Sequence, residues 1–264
     1  MPDVYDEHLV AQYDQHSFVW HLYMPTVREL LERTPDAALL DLGCGTGSLI
    51  MELQQFYSTA LGVDISSAMI DRAQNKAAQQ PEAPVSFQVA DIRDFEPVDR
   101  YSVVTCTDGV LPYLHDDNEL SAFLKMVSAI LTPNGRALIE VWTPAANPEP
   151  VDGARTFPPD SRLIPDELRD VDFIRESNTV PEADFARHRY YLPGRPYGYT
   201  VMKHGDQEVL HRHRYFDVST ELLPLLHEHD LTVEAELGVG ARDAVPELQP
   251  YFPQSAIWAG VVHK

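Results

Sequence analysis

The stretch ALLDLGCGTGSLIMEL, Ala38 to Leu53, places glycine at every second position, 43, 45 and 47, between an apolar run and an apolar-periodic one. Glycine is costly inside a strand or a helix, so this loop gains something from bare backbone. Ahead of it, ALLDLG reads as a buried strand. After it, Leu49, Ile50, Leu53 and Phe56 recur at helical intervals through SLIMELQQFY. A helix N-terminus offers unpaired N–H groups and a partial positive charge, and glycines let a ligand approach that backbone closely. A crevice of this kind, at the carboxyl end of a parallel strand, is where nucleotides bind in doubly wound sheets. The dinucleotide fingerprint Gly-x-Gly-x-x-Gly would require glycine at 48, where Ser48 stands; the spacing is Gly-x-Gly-x-Gly, preceded by Asp41.

Working outward, strand and helix alternate. TALGVDIS is a strand ending in Asp64, and SAMIDRAQNKAAQQ a helix capped by Ser66 or Ser67. VSFQVADI alternates Val85, Phe87 and Val89 and reaches Asp91. YSVVTCTD is a fourth strand ending at Asp108, DDNELSAFLKMVSAIL a helix, and GRALIEVW a fifth strand. This order predicts an α/β, Rossmann-like, seven-stranded and mostly parallel sheet with helices on both faces. Asp41, Asp64, Asp91 and Asp108 then stand at or near the carboxyl ends of four successive strands, on the rim where ligands dock. A lone aspartate there reads as a turn or cap residue; four in register do not. Asp64 follows Gly47 by 64 − 47 = 17 residues, a placement from which a carboxylate can accept both ribose hydroxyls.

Four segments are expected. Residues 1–35 form an amphipathic N-terminal helical lid with Leu22, Val27, Leu30 and Leu31 on one face, closed by Pro35. Residues 36–145 are the nucleotide-binding core. Residues 146–217 insert a Pro-rich loop and antiparallel strands, with a hairpin turn at His204-Gly205-Asp206. Residues 218–264 return a last helix and two strands to the core sheet. The chain has 264 residues and 44% hydrophobic content, enough for a full core. Its net charge of −21 disfavours nucleic acid and anionic membranes as partners. No apolar run is long enough to span a bilayer, and MPDVYDEHLV is no signal peptide. Cys44 and Cys106 suggest neither a disulfide framework nor a zinc cluster. The chain reads as a cytoplasmic protein.

LLDLGCGTG, GVDIS, VADIRDF and TDGVLPYL together resemble the glycine, ribose, adenine and fourth-strand motifs of class I S-adenosylmethionine-dependent methyltransferases, over residues 36–145. The resemblance implies that Asp41 and the backbone of Gly43 and Gly45 face the methionine part of the cofactor, that Gly47 belongs to the same cofactor-binding loop, and that Asp64 holds the ribose. It implies that Ile65 and Met69 pack on the adenine, that Asp91 and the Ile92 N–H meet its edge, and that Thr107 and Asp108 lie near the sulfonium. AQYDQH resembles an N-terminal segment of small-molecule members in which a tyrosine, here Tyr13, reaches the cofactor from the helical lid; Tyr5-Asp6 is an earlier copy of the dipeptide. The overall layout, with an inserted HRHRYF strand, resembles bacterial N-methyltransferases of nucleotide-linked amino sugars.

Methyl transfer from a sulfonium needs a positioned nucleophile and excluded water. TDGVLPYLHDD offers Asp108, Tyr113 and His115, and His115 is the expected base because its ordinary pKa lies near neutrality. His211 and His213 share one strand face; they line the pocket, bind a metal or form a polar strand face, and without a matched acid nearby in sequence the metal signal is weak. Arg195 and Tyr197 can grip an aromatic or phosphorylated substrate, and Trp20 and Trp142 can wall the pocket. The expected activity is methyl transfer to an amine, or a hydroxyl, of a small molecule. A nicotinamide-dependent oxidoreductase leaves Asp91 without a role, and a catalytically silent cofactor-binding protein remains the non-enzymatic alternative. Free edges of the inserted sheet offer a route to a homodimer.

Overall fold

The glycine loop sits where the expected first strand ends. The computed structural model describes residues 10, 14, 20–146, 163, 174–180, 185–192, 195–240, 248–251, 253 and 255–264. Strand β1 (Ala38–Leu42) pairs in parallel with β2 (Thr59–Asp64) on one side and with β4 (Tyr101–Cys106) on the other. Strand β3 (Val85–Val89) extends the sheet beyond β2, and β5 (Leu131–Trp142) beyond β4, both parallel. The parallel order β3-β2-β1-β4-β5 reverses between β1 and β4, which opens a crevice at their carboxyl ends.

Helix α1 (Trp20–Glu32), α2 (Ser48–Glu52) and α3 (Ser67–Ala78) cover one face of the sheet, and α4 (Asp117–Ile130) and α5 (Leu223–Glu228) the other. In α1, Tyr23 joins Val27, Leu30 and Leu31 in the core, while Leu22 is only partly buried. Ser66 caps α3, its hydroxyl accepting from the Met69 N–H at 3.3 Å. Asp116 caps α4, accepting from the N–H groups of Asn118 and Glu119 at 2.9 Å.

The helix after the glycine loop is shorter than its periodicity suggests, because the chain must turn to enter β2. It ends at Glu52; Leu53 bonds back to Leu49 and Ile50, and the Tyr57 hydroxyl donates to the Ile50 carbonyl at 3.2 Å. The returning strands β10 (Thr232–Gly240) and β12 (Ser255–His263) join this sheet, which has eight strands where seven were expected, with β12 antiparallel between β5 and β10. An eighth strand, the two-residue β11 (Gln249–Pro250), lies on the outer edge of β10. Two residues that include a proline carry no periodic signal, and only tertiary pairing makes them a strand.

The inserted region forms a separate four-stranded antiparallel sheet, β6 (Ile174–Val180), β7 (Phe185–Tyr191), β8 (Tyr197–His204) and β9 (Gln207–Arg214), in sequential order. The β8–β9 hairpin turns at Gly205-Asp206, with Gly205 at φ 54°. Register places Arg189, Thr200 and His211 side by side on one face. Tyr190, Tyr199 and Val201 occupy the other, with Tyr197 and Leu210 packed against them. Of the expected Pro-rich loop at 144–165, Pro144–Ala146 forms a single 3₁₀ turn, and the rest, except for Leu163, lies outside the described residues. No described helix is long and apolar enough to cross a membrane. The Trp258 side chain of β12 is fully buried, with its indole N–H donating to Glu236 at 2.7 Å. Trp258→Ala should therefore lower unfolding free energy by about 3–5 kcal/mol in urea denaturation.

Candidate active site at the carboxyl ends of β1, β2 and β4

Leaving β1, the chain adopts positive φ at Gly43 (80°), Gly45 (52°) and Gly47 (72°). A Cβ at Gly43 would meet Val110 at 2.2 Å, whereas one at Gly45 would meet nothing within 4 Å. Gly43 is thus required by packing as well as by φ, and Gly45 faces open space. The loop is stitched to the tip of β2. Gly43 and Cys44 donate to the Val63 carbonyl at 2.7 and 3.0 Å, and the Gly45 N–H donates to Asp64 Oδ2 at 2.8 Å. Asp64 Oδ1 accepts from the Ser66 N–H at 2.9 Å. Next to it, Ile65 is 46% exposed, a bare apolar side chain at the rim.

Asp41 is 4% exposed, and Thr105 donates to its Oδ1 at 2.7 Å. Burial, with a smaller contribution from the Asp64 charge, pushes its carboxyl up to about 6, against the pull of the Thr105 hydrogen bond. Asp91 stands two residues past β3. Its carboxylate takes the Arg93 guanidinium through both oxygens and the Arg93 N–H at 3.0 Å. The Arg93 side chain holds it below the usual carboxylate range. Ile92 is partly buried against the core and Met69 fully so. Thr107 is buried at the end of β4.

Asp108 lies at φ 61°, a conformation that a non-glycine residue keeps only when its surroundings hold it. Its N–H donates to Glu140 Oε2, and the Gly109 N–H to Glu140 Oε1 at 3.1 Å. The Tyr23 hydroxyl and the Trp142 indole N–H donate to the same carboxylate, the latter at 3.1 Å. Glu140 is 1% exposed, and four donors fill its four acceptor positions. Burial raises its pKa in spite of these donors. Sequence reasoning missed Glu140. The available signal was an acid inside the apolar strand ALIEVW, at a position that can stay charged only with partners.

Asp14 was also missed. Its carboxylate accepts from Lys76 Nζ at 2.7 Å, Arg72 Nε at 2.9 Å and the Thr46 hydroxyl, and so ties the N-terminal segment to the glycine loop. Burial alone would raise its pKa, but these hydrogen bonds prevail and lower it. Tyr13, Tyr5 and Asp6 lie outside the described residues, as does the side chain of Trp20.

Beyond β4, Leu111–Tyr113 forms a single 3₁₀ turn against β9. The Tyr113 ring meets His211 edge-on at 5.5 Å. Burial raises the phenol pKa, while Arg189 and Arg187 act to lower it. Trp142 meets His213 edge-on at 5.3 Å and stacks under the Arg189 guanidinium at 5.2 Å. His213 is pushed down to about 3 by burial and by the Arg189 charge, so its ring is neutral. The structure thus brings Tyr113, Trp142, His211 and His213 together beside Asp108.

Three expected residues stand differently. His115, the expected base, places Nε2 3.1 Å from the Arg212 carbonyl. A carbonyl only accepts, so Nε2 carries the proton and this ring fastens the loop to β9. Tyr197 lies on the opposite sheet face, under the Arg212 guanidinium at 4.7 Å, and Arg195 is exposed at the turn before it. The Tyr-rich run is read through strand alternation, which sends neighbouring residues to opposite faces. Among the described residues no cluster of His, Cys, Asp and Glu is placed to hold a metal ion.

Comparison with known proteins gives this site a family context. The methyltransferase domain family matches residues 39–135. A dTDP-4-amino-2,3,4,6-tetradeoxy-D-glucose N,N-dimethyltransferase of Saccharopolyspora spinosa is 32% identical over 111 residues, covering 42% of this chain and 43% of that protein. The chain thus matches less than half the length of that curated relative. Among solved structures, an S-adenosylmethionine-dependent methyltransferase from Clostridium acetobutylicum aligns over 97% of this chain and 96% of its own, with TM-score 0.64 and 17% identity. The S-adenosylmethionine-bound amino pentose methyltransferase of calicheamicin biosynthesis from Micromonospora echinaspora aligns over 99% of both chains, with TM-score 0.60 and 17% identity. The matched stretch, residues 39–135, contains the glycine loop, Asp64, Asp91 and Asp108.

Two outcomes follow from the buried acids. An aspartate whose pKa rises from 3.8 unfolded to about 6 folded adds stability that is complete below pH 3.8 and is lost as pH climbs through about 6. Asp41→Asn removes this dependence. In ligand-free protein the variant should gain on the order of 3 kcal/mol relative to wild type between pH 3 and pH 7, read from urea midpoints across that range. Glu140→Ala leaves four donors without their acceptor and should cost at least about 3 kcal/mol; a midpoint equal to wild type would contradict the assigned bonds.

Proposed function

We propose that the protein transfers a methyl group from S-adenosylmethionine to the amine of a small molecule, with a nucleotide-linked amino sugar as the leading acceptor class. The observation that carries this reading is Asp64. Its carboxylate is held by backbone N–H groups on both oxygens, between the open space at Gly45 and the exposed Ile65. That is a fit for a ribose flanked by an amino-acid tail and an apolar ring.

In this reading Asp41, Gly43, Gly45 and Gly47 hold the methionine part, and Ile65, Met69 and Ile92 hold the adenine. Asp91 shares its carboxylate between Arg93 and the adenine amino group. Thr107 and Asp108 approach the sulfonium, and Tyr13 closes from a lid latched by Asp14. When bound, the cofactor supplies an already activated methyl group. The work left to this chain is to orient the acceptor and exclude water, a task suited to Trp20, Trp142, Tyr113, His211 and His213. Preference for an amine is supported by the N,N-dimethyltransferase relative. A phosphate-bearing acceptor is supported by Arg187 and Arg189, whose positive charge bears on Tyr113 in a chain of net charge −21. A homodimer through the inserted sheet would use the β6 edge, because β9 packs on the turn at Leu111–Tyr113. A cytoplasmic setting accords with the two buried free cysteines.

S-adenosylhomocysteine should raise the melting temperature and bind in calorimetry, and NAD should do neither. Asp64→Ala should weaken that binding by about 1.5–3 kcal/mol, roughly 10- to 150-fold. Unchanged affinity would remove Asp64 from the site. Methyl transfer to dTDP-linked amino sugars, followed by release of S-adenosylhomocysteine, separates an enzyme from a silent binding protein.

A further inference from the structure

Two histidines project from the same face of β9, two residues apart, and the fold treats them differently. His213 is 0% exposed and uses both ring nitrogens, with Nε2 2.9 Å from the Tyr215 hydroxyl and Nδ1 3.3 Å from the Thr200 hydroxyl. His211 is 8% exposed, yet neither Nδ1 nor Nε2 has a hydrogen-bond partner among the described residues. A neutral imidazole carries one donor and one acceptor, and buried polar groups without partners are rare enough that each calls for an explanation. A core position would have avoided the penalty with an apolar side chain. Structural need accounts for His213 and leaves His211 unexplained.

The surroundings of His211 supply the explanation. Its ring abuts Tyr113 on the turn that follows β4. That turn begins just after Asp108 and Gly109, which Glu140 pins at the mouth of the crevice between β4 and β1. His115, the other imidazole nearby, has already committed Nε2 to the Arg212 carbonyl. On the methyltransferase reading above, we propose that His211 contacts the methyl acceptor directly, one imidazole nitrogen accepting a hydrogen bond from the acceptor's amine and so aiming the amine lone pair along the line of transfer. The amine enters neutral. Its lone pair forms the new N–C bond as the S–C bond breaks, the sulfur keeps the bonding pair, and the extra proton stays on the methylated nitrogen until solvent removes it. Burial lowers the His211 pKa and keeps the ring neutral, so the acceptor meets a lone pair and not a cation. Tyr113 fixes the ring plane from its edge.

The test compares full-length His211→Phe, His211→Gln and His213→Phe with wild type in three measurements. These are melting temperature, S-adenosylhomocysteine affinity by calorimetry, and transfer to dTDP-4-amino-2,3,4,6-tetradeoxy-D-glucose. His211→Phe should melt at or above wild type, since two unpartnered nitrogens are gone, and should bind S-adenosylhomocysteine normally. Its kcat should fall by at least about a hundredfold. His211→Gln, which keeps an acceptor, should recover part of that loss, and His213→Phe should melt lower than wild type. The proposal is overturned if His211→Phe retains wild-type kcat, or if it melts well below wild type, which would make the ring structural. Where wild type binds S-adenosylhomocysteine but does not methylate this sugar, histidine-selective ¹⁵N NMR of the S-adenosylhomocysteine complex decides. A ring shift at His211 on adding the sugar supports the contact, and unmoved His211 signals overturn it. Failure of wild type to bind S-adenosylhomocysteine at all would instead sink the methyltransferase reading, and this inference with it.

Discussion

The carboxylate of Asp64 is the hinge of the architecture. It accepts the Gly45 N–H on one oxygen and the Ser66 N–H on the other, so one side chain sets both the shape of the glycine loop and the start of α3. The loop can obey because its glycines take left-handed φ without strain. Gly43 and Cys44 donate to the Val63 carbonyl one residue earlier, and Gly47 donates to the Cys44 carbonyl. The crevice is therefore preorganised: the acceptor group and the bare backbone that a nucleoside needs are already oriented by bonds within the protein.

Across the switch point, Glu140 plays the matching part. It gathers α1, the segment after β4 and the Trp142 indole around one buried charge. A carboxylate so far from water is tolerable only because every acceptor position is filled. The strained backbone at Asp108 is then a consequence and not an accident, since both N–H groups of the bend are aimed at Glu140. The two acids act on either side of β1, Asp64 at the β2 tip and Glu140 on the bend after β4. Asp41 sits between them, deep enough that its own ionisation is resisted.

The inserted antiparallel sheet supplies a different chemistry. Its inner face brings Arg189, Thr200, His211 and His213 to Trp142 and Tyr113, a cationic and aromatic wall in a strongly acidic chain. Its outer face carries a small apolar cluster around Tyr190 and Val201. One face of the sheet is thus committed to contacts with Tyr113 and Trp142, and the other packs on itself.

The strand–helix alternation, the glycine loop and the aspartates at the strand tips were legible in the chain, because each is a local pattern: periodicity, turn chemistry, or a fixed offset from a strand end. A serine cap before α3 was legible for the same reason, at Ser66 or Ser67, and the structure uses Ser66. Glu140 and Asp14 were not, because their partners include residues from 31 to 117 positions away, and the difference between His211 and His213 was not, because it lies in which ring finds partners once the strands pack. Tyr197 shows the same boundary from the other side. Its residue type suggested a pocket, but only strand register, a long-range property, decided which face it took. Local backbone preferences therefore determined the fold and the cofactor crevice, and the tertiary structure alone decided which polar groups are satisfied, since hydrogen-bond satisfaction is settled by neighbours brought from elsewhere in the chain.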